Sequence, residues 1–183
     1  MTIKPDGSSA PTYLCPQLVL ALQYVQREIG SFGGDPRRVT LAGQSSGAEL
    51  VKTLLVTPSA TPYFARAILQ SAPLGLKDQS PETGEVISNM ALSQLKCSTA
   101  SDLAQVSVEE ILAAQDSVIN VGRAGGIAGL SPTESFIRPV VDGVLVNGEF
   151  QDVVATGGSL EGPRKHLLLT VMKEEGALAI SGL

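Results

Sequence analysis

One serine of the sequence stands where its hydroxyl could act as a nucleophile. Residues 43–47 read Gly-Gln-Ser-Ser-Gly and fit the spacing G-x-S-x-G around Ser45. The run 38–42 before this segment is short and β-branched, whereas the apolar residues of 50–55 after it have a helical period. A serine between a strand and a helix lies above the carboxyl edge of its sheet, near the positive end of the helix, where an oxyanion can be stabilised. The pattern therefore predicts acyl-transfer chemistry at Ser45.

The turn that carries Ser45 must be sharp, and the residues around it suit such a turn. The central residue takes a strained backbone conformation, and small residues two places to either side let strand and helix approach without a side-chain clash. Gly43 and Gly47 meet that need. The backbone N–H of Ser46 would then be one donor of an oxyanion hole. The alternative is an ordinary turn with a helix cap, because Ser and Gly are common in both roles.

A carboxylate later in the sequence could serve as the acid partner of a catalytic histidine. Glu175 follows the apolar run 167–172, which is typical of a buried strand. A carboxylate after such a strand reaches the same edge of a parallel sheet as Ser45 and can orient a histidine. The alternative is an exposed carboxylate beside Glu174 in a polar turn.

The sequence contains a single histidine, His166. It precedes the strand predicted over 167–172 instead of following Glu175, so we expect it toward the opposite end of that strand. Arg164 and Lys165 beside it are typical of a solvated strand entry. We therefore assign no catalytic role to His166.

The elements that must position these residues follow from the hydrophobic periods. Residues 18–29 predict a helix that stops at the Gly-rich turn 33–36. Residues 66–70 predict a second short strand, separated from the strand at 38–42 by the helix at 50–55. Strand, helix and strand in this order predict a parallel βαβ unit.

Beyond this unit the sequence predicts two more helices, a loop and a hairpin. The helices are indicated by the apolar period of 86–95 and by the capping box of Ser107 and Glu110. Residues 122–129 predict a loop, which lacks the spacing G-x-G-x-x-G and the preceding strand of a dinucleotide site. Residues 139–146 place Asp-Gly between apolar runs and predict a hairpin.

The composition bounds the class of protein. Of 183 residues, 43% are hydrophobic and 17% are charged, as in a globular domain with its own core. A formal net charge of −5 and scattered basic residues argue against a nucleic-acid partner. No apolar run predicts a transmembrane segment, and residues 1–12 lack the apolar stretch of a signal peptide, so we expect a soluble chain of undecided compartment. Cys15 and Cys97 fit no metal-binding spacing, and we expect two buried free thiols.

Several segments together resemble the signature of the type-B carboxylesterase/lipase family, which includes the cholinesterases. In the order of the family they are 21–26 (ALQYVQ), 32–36 (FGGDP), 39–48 (VTLAGQSSGA), 67–72 (AILQSA), 139–143 (PVVDG) and 174–176 (EEG). The resemblance covers nearly the whole chain. It implies the α/β class, with 1–183 forming a single partial α/β-hydrolase domain that has a mostly parallel sheet and flanking helices.

The same resemblance implies a function and its site residues. Ser45 would be the nucleophile, Glu175 the triad acid and Ser46 an oxyanion-hole residue of a carboxylic ester hydrolase. The substrate would be a small-molecule ester, processed through an acyl-serine intermediate without a metal or a cofactor. The alternative from another class is a non-catalytic relative that keeps the fold for binding, although such relatives usually lack the serine.

Two parts of the family's active site are expected outside the sequence. By the resemblance, the Gly-Gly oxyanion loop lies upstream of the first matching segment, and the catalytic histidine lies downstream of Glu175. We therefore expect a central fragment or a truncated product that is weak or inactive alone. Cys97 resembles the first cysteine of a family disulfide whose second cysteine is missing here. Absent outer strands would expose apolar edges, so self-association is expected, and full-length relatives are often secreted.

Overall fold

The structure is a computed structural model that describes residues 2–3, 9–10, 14–127, 138–156 and 165–175. The chain groups into two units, one of Met1–Pro16 with Asp78–Asp142 and one of Gln17–Lys77 with Gly143–Leu183. Ser45, Ser46, Glu175 and His166 all belong to the second of these. That 1–183 form a single partial domain remains a prediction from the resemblance.

The described residues form short strands and helices. In chain order the strands are β1 (Thr2–Ile3), β2 (Ser9–Ala10), β3 (Thr40–Gln44), β4 (Arg66–Gln70) and β5 (His166–Thr170). The α-helices are α1 (Leu14–Glu28), α2 (Ser46–Leu55), α3 (Pro81–Leu95), α4 (Ala100–Leu103), α5 (Val108–Arg123) and α6 (Phe150–Ala155). Short 3-10 turns cover Ile29–Phe32, Pro36–Arg38 and Thr61–Tyr63.

A parallel sheet of three strands carries the serine elbow. The strand order is β3-β4-β5, and both neighbouring pairs are parallel. Gln44, Gln70 and Thr170 align in register at the carboxyl end of the sheet, and Thr40, Arg66 and His166 align at the amino end. Helix α2 connects β3 to β4 and packs on both strands. The predicted βαβ unit and the α/β class with a parallel sheet are therefore confirmed.

The chain before β3 shows why that strand begins two residues later than the sequence predicted. Helix α1 ends at Glu28, and Gly33, with φ +81, closes the following 3-10 turn by donating its N–H to Gly30 O. Asp35 then caps the turn Pro36–Arg38 by accepting a hydrogen bond from Arg37 N. This second turn uses the residues at which the predicted strand would have started.

Helix α2 buries most of the face that the sequence predicted. Ala48, Val51, Leu54 and Leu55 are buried apolar residues, in agreement with the helical period of 50–55, whereas Leu50 is half-buried. Glu49 and Lys52, which are charged, are buried on the same helix. Burial of a pair of charges at this depth was not predicted from the sequence.

The other unit contains the helices α3 and α5, which pack against each other. Ser107 and Glu110 form a complete capping box at the start of α5, as predicted. Val118 and Ile127 are the buried centre of a cluster with three apolar side chains of α3, Ile87, Met90 and Ala91. Helix α5 continues through Arg123, so the loop predicted from residue 122 begins two residues later, and 128–129 lie outside the described residues.

Two predictions from the sequence are wrong. Residues 139–146 form no hairpin, because Val140 makes an isolated parallel bridge with Gln79, whose backbone takes up the hydrogen bonds of Pro139 and Val141. Gly143, with φ +68, donates its N–H to Val146 O in a tight loop. The strand that precedes Glu175 is also not buried, since every residue of β5 is exposed.

Candidate active site

Ser45 lies at the junction of β3 and α2 in an unusual backbone conformation. Its φ is +53° and its ψ is −119°, which a residue with a side chain rarely adopts. The N–H of Ser45 donates to Gln70 O over 2.9 Å, and Glu49 N donates to Ser45 O over 3.0 Å. These hydrogen bonds join the serine to the sheet and to the first turn of α2. They stabilise the strained backbone conformation that this kind of turn requires.

Only one of the two glycines around Ser45 is required by steric contact. A Cβ on Gly43 would overlap the backbone O and C of Gly47 and lie 2.7 Å from Ala48 N, closer than real Cβ atoms come. A Cβ on Gly47 would meet no atom within 4 Å among the described residues. The predicted need for a small residue is therefore confirmed at Gly43 and wrong at Gly47, because the backbone of α2 crosses above Gly43.

Ser46 is the first residue of α2. The first N–H groups of an α-helix have no acceptor within the helix, and the helix dipole adds partial positive charge at this end. The N–H of Ser46 thus has the local setting of an oxyanion donor. Its role in an oxyanion hole remains a proposal.

A second serine, Ser71, stands beside Ser45 and was missed from the sequence. It follows β4 as Ser45 follows β3, and because Gln44 and Gln70 are in register, the two serines are neighbours at the carboxyl edge. Ser71 also has a positive φ, +49°, and its N–H donates to Thr170 O over 2.8 Å. Its place directly after the strand predicted over 66–70 was the signal that could have identified it.

Glu175 is exposed and lies beside Glu174 in the turn that follows β5 at this edge of the sheet, as the alternative from the sequence expected. Hydrogen bonds from the Ser71 side chain and from the backbone N–H of Met172 lower the pKa of Glu175 below its ordinary value. The Met172 N–H donates to Glu175 Oε1 over 2.6 Å. The structure therefore connects Glu175 to Ser71, the neighbour of Ser45, and the carboxylate is ionised at neutral pH.

His166 lies at the other end of the same strand. It pairs in register with Arg66 at the amino end of the sheet, four residues before Thr170. At ~3.3 Å per residue this separation is about 13 Å, beyond the reach of a hydrogen bond to Ser45 or Glu175. The described residues thus bring together two serines and a carboxylate, without a histidine at that edge.

Other reactive groups do not join this site. Within the described ranges, no cluster of His, Cys, Asp and Glu could hold a metal ion, and no helix is long and apolar enough to cross a membrane. Cys15 and Cys97 are buried free thiols, as predicted. Burial, with the charges of Asp78 and Asp142, raises the pKa of Cys15 to about 11, so this thiol stays protonated and unreactive near neutral pH.

The family of the chain follows from comparison with known sequences. The sequence profile of the carboxylesterase family matches residues 17–183. The chain belongs to the carboxylesterase family. This confirms the resemblance, and the roles that it implies for Ser45, Ser46 and Glu175 remain predictions.

Three relatives show that this chain spans only a small part of their length. A protein named "Probable N-octanoylanthranilate hydrolase" from Rhodococcus erythropolis is 42% identical over 111 residues, which are 61% of this chain and 23% of that protein. The phenmedipham hydrolase of Pseudarthrobacter oxydans is 45% identical over 64 residues, 35% of this chain and 13% of its own length. The cholinesterase of Mus musculus is 52% identical over 52 residues, 28% and 9% of the respective lengths.

Solved esterase structures share the fold. A thermophilic PNB esterase superposes with a TM-score of 0.74 at 26% identity, over 90% of this chain and 32% of that one. The carboxylesterase EST55 of Geobacillus stearothermophilus gives a TM-score of 0.71 at 30% identity, over 92% of this chain and 33% of its own. The chain thus has the fold of about one third of these esterases.

Proposed function

We propose that this chain carries the nucleophile and the acid of a serine carboxylic ester hydrolase. The observation that carries the proposal is the strained Ser45 at the carboxyl edge, beside Ser71 because Gln44 and Gln70 are in register, with Glu175 in the turn that follows β5. The lowered pKa of Glu175, attributed first to a hydrogen bond from the Ser71 side chain, supports this grouping. A strained serine at such an elbow presents its hydroxyl outward. We assign the N–H of Ser46, the first residue of α2, as a donor to the oxyanion.

The proposed reaction is acyl transfer to serine. Ser45 Oγ forms a bond to the carbonyl carbon of a small-molecule ester, the tetrahedral intermediate expels the alcohol, and water then releases the acid from the acyl-serine. The hydroxyl proton passes to a histidine, and the leaving alcohol takes it up. Glu175 would orient that histidine and balance its positive charge.

The histidine is the part that the described residues do not supply. A serine hydroxyl without its base stays protonated near neutral pH and is a poor nucleophile. We therefore propose that the chain alone is weak or inactive, and that it represents a part of a longer esterase, in line with the length of its relatives. The substrates in the names of those relatives belong to those proteins, and for this chain we propose the ester class alone.

Covalent labelling tests the nucleophile. We expect a fluorophosphonate probe to modify Ser45 of the purified chain slowly, because the oxyanion donor is present and the base is not. Mass spectrometry should place the adduct on Ser45 and find none in Ser45→Ala. Ser93→Ala, which removes an exposed hydroxyl from α3, is the matched control and should label like the parent chain.

The outcome also separates the two functional classes. An adduct that persists in Ser45→Ala would reject Ser45 as the nucleophile. Complete absence of labelling, together with binding of a small ester, would favour the non-catalytic binding protein instead.

The exposed apolar surface of β5 supports a further proposal, that the chain self-associates. Leu168 is 53% exposed and Leu169 is 49% exposed, and these neighbours point to opposite faces of the sheet. Among the described residues β5 pairs only with β4, and none of them pairs with its other edge, where backbone groups would be open to a second chain.

A further inference from the structure

A cluster of buried polar groups connects α2 to the loop that follows Ser71. We call it the loop anchor and define it by Glu49, Lys52, Gln151 and the carbonyl oxygens of Leu74 and Leu76. Lys52 has no exposed surface, and its Nζ donates to Glu49 Oε1 over 2.7 Å and to Leu76 O over 3.0 Å. A charge on α2 is therefore hydrogen-bonded to the backbone of a different element.

Helix α6 contributes the second contact of the loop anchor. Gln151 Nε2 donates to Leu74 O over 2.7 Å and to Leu76 O over 3.0 Å. Leu76 O thus accepts from Lys52 and from Gln151 together. Two helices hold the same short piece of backbone.

The loop that is held in this way begins at Ser71. Only Ala72 and Pro73 separate Ser71 from the first anchored residue, and the loop is tightened by Leu74 N donating to Ala72 O and Leu76 N to Pro73 O, over 2.8 and 2.9 Å. Because these turns leave little slack, fixing Leu74 and Leu76 also limits the movement of Ser71. Ser71 is also fixed to the end of β5, because its N–H donates to Thr170 O over 2.8 Å, and Glu175 lies in the turn that follows this strand. A hydrogen bond from the Ser71 side chain is the largest cause of the lowered pKa of Glu175.

The loop anchor is not the arrangement that packing alone would favour. Burying an ion pair costs hydration free energy, and the attraction between the two charges offsets only part of that cost. Proteins in which apolar residues of similar size replace such a pair are often equally stable or more stable. Glu49 Oε2 is buried and has no hydrogen-bond partner among the described residues, which adds to the penalty. A role beyond packing would explain a lysine at this position.

We propose that Lys52 is a positioning residue for the acid of the site: it fixes the Leu74–Leu76 backbone so that Ser71 keeps its hydrogen bond to Glu175. The proposal deepens the proposed function, since it rests on Glu175 being the acid. It also explains how α2, which begins beside the nucleophile, fixes the position of the neighbouring serine.

The test separates positioning from stability by removing both charges. Lys52→Met alone leaves Glu49 buried without its cation, and its melting temperature should fall by about 10 °C. Lys52→Met with Glu49→Leu should recover most of that loss. In this double variant we expect carboxyl NMR titration to show a raised pKa for Glu175, because the hydrogen bond from Ser71 is no longer held.

A nearby lysine provides the matched control. Lys77→Met removes the same charge from an exposed side chain, 67% accessible, whose Nζ lies 3.8 Å from Asp152 Oδ1 at the surface. It should leave the pKa of Glu175 unchanged. A folded double variant with the parent pKa for Glu175 would overturn the proposal.

If the double variant fails to fold, a different variant can still test the proposal. Gln151→Met removes both hydrogen bonds of α6 to the loop without burying an unpaired charge. It should raise the pKa of Glu175, and an unchanged value would count against the loop anchor. This measurement does not need ester hydrolysis, whereas failure of the proposed function would appear as an unlabelled Ser45 with the Glu175 titration intact.

Discussion

At the scale of single residues, the site is marked by backbone strain at two serines. Three non-glycine residues of the described chain have a positive φ, and two of these, Ser45 and Ser71, follow neighbouring strands of the parallel sheet. The third, Lys96, ends helix α3, where a left-handed residue is common. The positive φ of Lys96 is therefore explained by the end of a helix. The positive φ of Ser45 and of Ser71 occurs where we propose the chemistry, as is common for backbone strain at active sites.

The contact between Ser71 and Glu175 leads to a pH prediction. Because folding lowers the pKa of Glu175, its ionised form stabilises the fold above the ordinary glutamate pKa, and this contribution is lost as the pH falls through the lowered value. Ser71→Ala removes the largest cause and should raise the pKa of Glu175 in a carboxyl NMR titration. When unfolding is followed against pH, the acid-induced transition of this variant should therefore occur at a higher pH than that of the parent chain.

The other unit offers a reciprocal control. A hydrogen bond from Ser80 lowers the pKa of Glu82, so Ser80→Ala should raise the pKa of Glu82 and leave that of Glu175 unchanged. If Ser71→Ala leaves the Glu175 titration where it was, Ser71 is not the partner of this carboxylate.

At the scale of elements, the position of Ser45 depends on the close crossing of β3 and α2. Gly43 lies under the backbone of Gly47 and Ala48, so the sheet and the helix meet without a side chain between them. A Cβ on Gly47, on the helix side, would meet no other described residue within 4 Å. The two glycines of the motif therefore have different physical roles.

This difference gives a prediction with its own control. Gly43→Ala should lower the free energy of unfolding by about 3 kcal/mol or more, because the added methyl overlaps backbone that cannot rotate away. Gly47→Ala should leave that free energy unchanged or raise it by less than about 1 kcal/mol, since alanine is the better helix former. Urea unfolding followed by circular dichroism measures both, and equal stabilities would contradict the crossing described here.

At the scale of the whole molecule, the proposed self-association rests on the exposed strand β5. Its sequence, His-Leu-Leu-Leu-Thr, has no Lys, Arg, Asp, Glu or Pro, the residues that normally protect an edge strand. Both faces of the sheet are open at this strand. We expect pairing of β5 edges to contribute to the proposed self-association.

A matched pair of substitutions tests this association. Leu168→Lys should weaken it about tenfold or more, because a leucine side chain is lost from the contact and a charge is introduced at the edge. Leu112→Lys, at 51% exposure on α5, makes the same change at almost the same exposure away from the sheet and should have little effect. Sedimentation velocity over a concentration series distinguishes them, and a parent chain that stays monomeric throughout would reject the proposal.

The sequence by itself determined the features that depend on neighbouring residues. The strand-turn-helix around Ser45, the parallel βαβ unit, the capping box of Ser107 and Glu110 and the family all follow from local periods and motif spacing. Local periodicity failed at 139–146, because the backbone of Gln79, distant in sequence, competes for the hydrogen bonds of the predicted hairpin.

Only the tertiary structure decided which distant residues meet. The register of β3, β4 and β5 makes Ser71 the neighbour of Ser45 and the partner of Glu175, and places His166 at the opposite end of the sheet. The same packing buries Lys52 against Leu76 O and leaves the apolar run of β5 exposed. Burial and register are set by what packs against an element, and a pattern along one strand does not contain that information.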